Sequence, residues 1–154
     1  SVNWPSFMFI ASIMGLGSFM GNSTIGIPDW MSAVLSPVFS GISPFVFLVI
    51  MVFLADLMTN FTSNTVTVSV MLAVAMPLAM GVYDGQLSPF LVAALVTSAS
   101  NNGWTTPPAS PTAAVVYGSD WVDTKSMIFW GLFAMVLHVI VTMTLGYALG
   151  AALL

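Results

Sequence analysis

MTNFTSNTVTV (residues 58–68) sets Thr59, Asn60, Thr62, Ser63, Asn64 and Thr65 between two strongly apolar runs, PFVFLVIMVFLADLM (residues 44–58) and SVMLAVAMPLAM (residues 69–80). The two arms, Pro44 to Met58 and Val66 to Met80, are each fifteen residues long. At about 1.5 Å per residue an arm reaches roughly 22 Å, short of the ~30 Å hydrocarbon core of a bilayer. One uninterrupted helix through both arms would run roughly 55 Å and overshoot it. The economical solution is a re-entrant hairpin over residues 43–80, its tip at 59–65 near mid-membrane. Non-helical backbone survives at that depth only where it is buried in protein or lines a wet cavity, so the polar tip is expected to face something hydrophilic.

Composition supports a membrane setting. The chain of 154 residues is 58% hydrophobic and 4% charged, against about 25% charged residues in soluble domains. Its ionisable side chains are Lys125, five aspartates, one histidine and three tyrosines, with no arginine, glutamate or cysteine. That excludes a basic nucleic-acid surface, disulfides, thiolate metal sites and a cysteine nucleophile. An enzyme is poorly supported, because no carboxylate pair stands at a useful helical spacing. The abrupt opening SVNWPSFMF lacks the charged start of a signal peptide and suggests a piece of a longer polypeptide.

Outward from the tip, residues 4–20 read as a transmembrane helix whose Gly15 and Gly17 permit close helix approach. GNSTIGIPDW turns the chain, and a short interfacial helix over 29–39 follows, with Asp29 as its N-cap. GVYDGQ (residues 81–86) returns the chain to water. Residues 87–118 read as a broken helix, interrupted by SNNGWTTPPASPT in a loop over 100–112. Proline removes backbone donors and leaves nearby carbonyls free to bind something else. A full span is expected over 126–150, and Lys125 at its start places the preceding loop in the cytoplasm by the positive-inside rule. The fold class is therefore all-α integral membrane: transmembrane helices with a re-entrant hairpin and a discontinuous helix.

A hairpin tip and a broken helix are parts from which many secondary transporters build a midplane site. Helix N-termini direct partial positive charge at an anion, while freed carbonyls and hydroxyls take a sodium ion. Ser63, Asn64 and Thr65 open the second arm and carry suitable donors. Lys125 stands at the wrong depth to help.

TNFTSNT, followed some forty residues later by a proline-broken loop, resembles the C-terminal half of the divalent anion/sodium symporter family, which carries Ser-Asn-Thr motifs at its hairpin tips. The family's second broken helix reads A-S-x-x-F-M-x-P-x-A-T-P-P-N-A-I-V-F-G-S. Laid without gaps, it falls on SNNGWTTPPASPTAAVVYGS (residues 100–119). Ala109-Ser110-Pro111-Thr112-Ala113-Ala114 then stands where A-T-P-P-N-A is expected. Upstream, NWPSFMFIASIMGLG is similar to the family's tryptophan-led, glycine-rich helix. The resemblance implies one half of an inverted-repeat, dimeric, sodium-coupled carrier of dicarboxylates, tricarboxylates or sulfate, working by an elevator movement. It assigns sodium to Thr59, Ser63, Asn64 and the Ala109 carbonyl, and the anion to Ser63, Asn64, Thr65, Ser110, Pro111 and Thr112. The sequence departs from the pattern at Asn60, often acidic in the family, at Thr112 for the second proline, and at Ala113 for the asparagine. The other half of the site is expected from the N-terminal half of the transporter, and a homodimer in the lipid bilayer as its setting.

Blander readings stand beside these. Polar side chains in membrane helices are often interhelical glue, worth about 0.6 kcal/mol each, which would suit a non-transporting subunit. A sodium-independent anion exchanger or oxyanion permease would use similar parts. Asp56 is an ionisable group on an apolar arm, hence a candidate for coupling, though it could be protonated or face a watery crevice. His138, lone among aliphatics, reads as a packing or hydrogen-bonding residue. The twelve methionines read as adaptable filler, and Trp30, Trp104, Trp121 and Trp130 as interface markers.

Overall fold

The computed structural model describes Met8 and residues 23–106, 109–119 and 121–153. The helix expected over residues 4–20 lies, apart from Met8, outside them. The described residues are helical, with no strand among them. After a short 3-10 turn, Ser23–Ile25, helix α1 runs Ile27–Phe39. It begins two residues before the sequence reading placed it, on Gly26 at φ +72°, and Asp29 sits in its first turn without capping it. Left-handed backbone favours glycine.

Helix α2, Pro44–Thr59, and helix α3, Asn64–Gly81, flank a four-residue turn. Each starts on a serine whose hydroxyl accepts from the third helical N–H, Ser43 from Val46 at 3.4 Å and Ser63 from Val66 at 3.3 Å. This satisfies one of the donors that a helix start leaves orphaned. The arms have 16 and 18 residues, longer than their apolar runs: the first takes in Thr59, and the Ser63 cap brings Asn64 and Thr65 into the second. At about 1.5 Å per residue, α3 is roughly 27 Å long and is itself long and apolar enough to cross a membrane. Between Ala33–Phe39 and Pro44–Thr59 the chain bends by 112°, and the Tyr83 hydroxyl fixes the corner by donating to the Phe39 and Ile42 carbonyls at 2.8 and 3.0 Å.

Helix α4, Pro89–Ser100, packs between both arms. The core is their shared seam: Phe47, Leu48 and Val52 of α2, Ala75 and Leu78 of α3, and Val92 and Val96 of α4 are buried together. Helix α5, Pro111–Gly118, resumes after the loop, with Pro111 at its first turn and the Ser110 hydroxyl accepting from Ala113 N at 3.1 Å. Proline is tolerated there because its missing N–H would have been unpaired anyway.

The last helical stretch, Thr124–Gly150, is 27 residues long and apolar enough to cross. It comprises α6, Thr124–Val141, a π turn at Thr142–Gly146, and the start of α7, Tyr147–Leu153. Asp123 caps it, its carboxylate accepting from the backbones of Lys125 and Ser126. One face, spaced by threes and fours, meets the rest of the chain. Gly131 lies on Thr105 so closely that an added Cβ would stand 2.5 Å from the Thr105 Cα, and Gly146 and Gly150 lie against Leu95 and Leu91. Small residues let helices approach in this way where no water drives them together. The opposite face exposes Phe129, Trp130, Phe133 and Ile140. These apolar helices make the chain a multi-pass integral membrane protein, as its composition implied.

Candidate functional site

The hairpin turn and the loop between α4 and α5 come together. On the hairpin side, Thr59 and Asn60 are buried at the end of α2. The Thr59 hydroxyl lies 2.6 Å from the Ser100 carbonyl, where α4 ends, and 2.7 Å from Asn64 Oδ1, where α3 begins. One side chain therefore touches all three helix ends. Asn64 Nδ2 donates to Asn101 Oδ1 at 3.5 Å.

Asn60 is the joint with the loop. Its Oδ1 accepts from Thr105 N at 2.7 Å, its Nδ2 donates to the Asp56 carbonyl at 2.7 Å, and its own carbonyl accepts from the Thr106 hydroxyl. An acidic side chain at this position could not make the donation to Asp56 O, so the departure from the family pattern has a structural use.

Gly103 completes the junction. A Cβ added there would stand 2.9 Å from the Ala109 carbonyl oxygen and 3.2 Å from that of Thr59, so both oxygens lie around one small space that a side chain would fill. Beside this cradle stands the Thr59 and Asn64 oxygen pair. An all-oxygen set of carbonyls, hydroxyls and amides has the chemistry that suits a hard cation.

Of the residues assigned to sodium by resemblance, Thr59, Asn64 and Ala109 are gathered at this junction. Ser63 is a cap, its hydroxyl turned to Val66 N. Among those assigned to the anion, Ser63 and Thr65 are exposed at the start of α3. Ser110 caps α5, Pro111 opens it and Thr112 is exposed in its first turn. Two serine-capped helix N-termini thus begin at the two interruptions, and neither carries an acidic residue in its first turn.

Asp56, one turn before Asn60, is buried. Its carboxylate accepts from Asn102 Nδ2 at 2.9 and 3.2 Å and meets His138 Nδ1 at 2.9 Å. The other ring nitrogen of His138 lies 3.3 Å from the Thr142 hydroxyl. His138 is thus a hydrogen-bonding residue, a quarter exposed. With Ser98, Thr142 and several aliphatic side chains it lines a cavity of about 370 Å³. Sequence reasoning missed Asn101, Asn102 and Gly103 as site residues. The signal available for His138 was its register with Gly131, Gly146 and Gly150.

The family described as sodium:sulfate symporter transmembrane region matches residues 1–154. Among individual relatives, the sodium-dependent dicarboxylate transporter SdcS of Staphylococcus saprophyticus is 27% identical over 135 residues, covering 88% of this chain and 25% of that protein. The same transporter of Staphylococcus aureus is 26% identical over 133 residues, covering 86% of the chain and 25% of that protein. An uncharacterized transporter of Synechocystis is 28% identical over 118 residues, covering 77% of the chain and 18% of that protein. The chain therefore spans about a quarter of the length of the SdcS relatives it matches. These relatives are transporters by name, in keeping with a chain whose sequence argues against catalysis. With the family match running from end to end, this chain belongs to the sodium:sulfate symporter transmembrane region family.

Proposed function

We propose that this chain is the C-terminal repeat of a sodium-coupled symporter for a small di- or tricarboxylate or a sulfate-like anion. The observation that carries the reading is the junction itself. Two interruptions, widely separated in sequence, bring the carbonyls of Thr59 and Ala109 to one space at Gly103 and begin two serine-capped helices beside it.

Thr59, Asn64 and the Ala109 carbonyl would hold sodium. The cation supplies local positive charge, and Lys125 at the foot of α6 is the chain's sole lysine or arginine. The first-turn N–H groups of α3 and α5, with the hydroxyls of Ser63, Thr65, Ser110 and Thr112, would face the anion, and Pro111 would set the start of α5. Anions are favoured at helix N-termini by the macrodipole and the orphan donors together. Coupling follows if the anion binds well only beside the cation. The N-terminal half of the carrier would complete the site, residues 43–80 would enter the membrane as a re-entrant hairpin, and the assembly would be a homodimer moving its site by an elevator motion. The name of SdcS, a sodium-dependent dicarboxylate transporter, favours dicarboxylates as the first anions to try.

The test is uptake of radiolabelled succinate and sulfate into liposomes holding the complete carrier, with and without an inward sodium gradient. Uptake of either that requires sodium is expected. Uptake indifferent to sodium would replace symport with exchange or a permease. A carrier that moves neither anion would remove succinate and sulfate as substrates and leave the transported anion open.

A further inference from the structure

Asp56 is the one ionisable side chain between residues 30 and 82, and it is fully buried. Burying a carboxylate is costly unless partners replace its water. Here the partners are Asn102, through both carboxylate oxygens, and His138. Three separate parts of the chain therefore meet at one side chain: the first hairpin arm, the interrupting loop and the last span. Asn102 is the neighbour of Gly103, whose backbone sits against the Thr59 and Ala109 carbonyl oxygens. The Asp56 carbonyl, meanwhile, holds Asn60, which holds Thr105 and Thr106 further along the same loop.

Resting on the symporter reading above, we propose that Asp56, clamped between Asn102 and His138, is the positioning residue of the cation site: it fixes the loop where the Thr59 and Ala109 carbonyls converge. Asp56 touches neither ion in this role. It acts through Asn102 and Gly103, and His138 acts by holding the carboxylate in the rotamer that reaches Asn102. The Thr142 hydroxyl on the far ring nitrogen of His138 fixes the imidazole orientation, and the π turn that begins at Thr142 brings Gly146 onto Leu95.

The experiment is sodium-dependent thermal stabilisation of the complete carrier in detergent without anion. Sodium chloride is titrated against choline chloride at constant ionic strength, for wild type, Asp56→Asn, His138→Gln and Asn102→Ala. The expected result is an increase of about tenfold or more in the sodium concentration giving half the shift for Asp56→Asn. A smaller increase of the same direction is expected for the other two. Anion affinity at saturating sodium should stay within about twofold of wild type. Variants with a lower melting temperature but an unchanged sodium half-point would make the clamp merely structural and overturn the proposal. Should Asp56→Asn not fold, Asn102→Ala decides, since Asn102 is half-buried and its loss leaves the Asp56–His138 pair in place. A wild type stabilised equally by choline would instead remove the symporter reading, and the clamp's purpose with it.

Discussion

The two interruptions are built in different ways. The hairpin turn between α2 and α3 closes on itself: Asn60 N donates to Leu57 O, and Phe61 N and Thr62 N both donate to Met58 O. The Thr62 hydroxyl lies 2.8 Å from that of Thr67 across the turn. The loop between α4 and α5 also makes local bonds, Asn101 N to Ser98 O, Asn102 N to Ala99 O and Ala109 N to Thr106 O, but adds ties to the hairpin. Asn102 reaches Asp56, Thr105 and Thr106 reach Asn60, and Gly103 rests against Thr59. Among the described residues, one interruption is closed by local bonds and the other is in addition moored to it. Locally closed turns keep their shape when distant contacts change, whereas segments with few contacts of their own open first.

Gly103→Ala should break the contrast most severely. Its methyl group would meet backbone oxygens that have no side-chain freedom to yield, a situation of overpacking worth about 3 kcal/mol. Sodium stabilisation of the purified carrier should be lost while the fold persists. Retention of wild-type sodium stabilisation would mean that the loop is not held where Gly103 places it.

Asn60→Ala comes next. It unpairs the buried Thr105 N–H and the Asp56 carbonyl, at about 2 kcal/mol for a buried group left unsatisfied, read as a fall in melting temperature. The hairpin's own backbone bonds remain, so hydrogen exchange should rise in residues 101–106 far more than in residues 61–67. Equal rises would erase the distinction between the two interruptions.

Ser63→Ala and Ser110→Ala sharpen it. Each removes a cap worth about 1 kcal/mol. Fraying should stay local at α3, which is packed along its length by α1, α2 and α4, and spread further through α5, which has only 8 residues. Amide exchange at Val66 and Ala113 is the measurement.

The smallest effect lies at Asp123, outside both interruptions. The Ser126 hydroxyl and the backbone N–H groups of Ser126 and Lys125 hold its carboxyl below the usual carboxylate range. A depressed folded-state pKa contributes stability above the unfolded value and loses it as pH falls through the folded one. The Asp123 contribution to the start of α6 should therefore be constant at neutral pH and fade only in acid. Asp123→Asn should flatten that acid dependence.

Much of this arrangement was legible in the sequence because its cause is local. Polar residues between apolar arms mark a break wherever they fall, whereas the serine caps at Ser43, Ser63 and Ser110 emerged only with the structure. The arm lengths were read short because apolarity ends where the helix does not: Ser63 lets α3 take in Asn64 and Thr65. The Asp29 cap failed for a similarly local reason, since Gly26 already turns the chain and admits Ile27–Pro28 into α1. What was not legible is the joinery. Asp56 and His138 are separated by 82 positions, and nothing in either neighbourhood names the other. Likewise, Gly103 reads as a turn residue until its neighbours Thr59 and Ala109 are known.

The most direct test of the convergence exploits the absence of cysteine in these 154 residues, with any cysteine elsewhere in the carrier replaced by serine. Asn64→Cys and Asn101→Cys would be introduced together in the complete carrier and joined with a short bifunctional methanethiosulfonate in native membranes. The measured quantity is the cross-linking rate of the double variant in choline, beside that of each single variant. Ready cross-linking of the double variant, and of neither single one, is the predicted result. Failure of the double variant to cross-link would contradict the claim that the hairpin turn and the broken helix share one site.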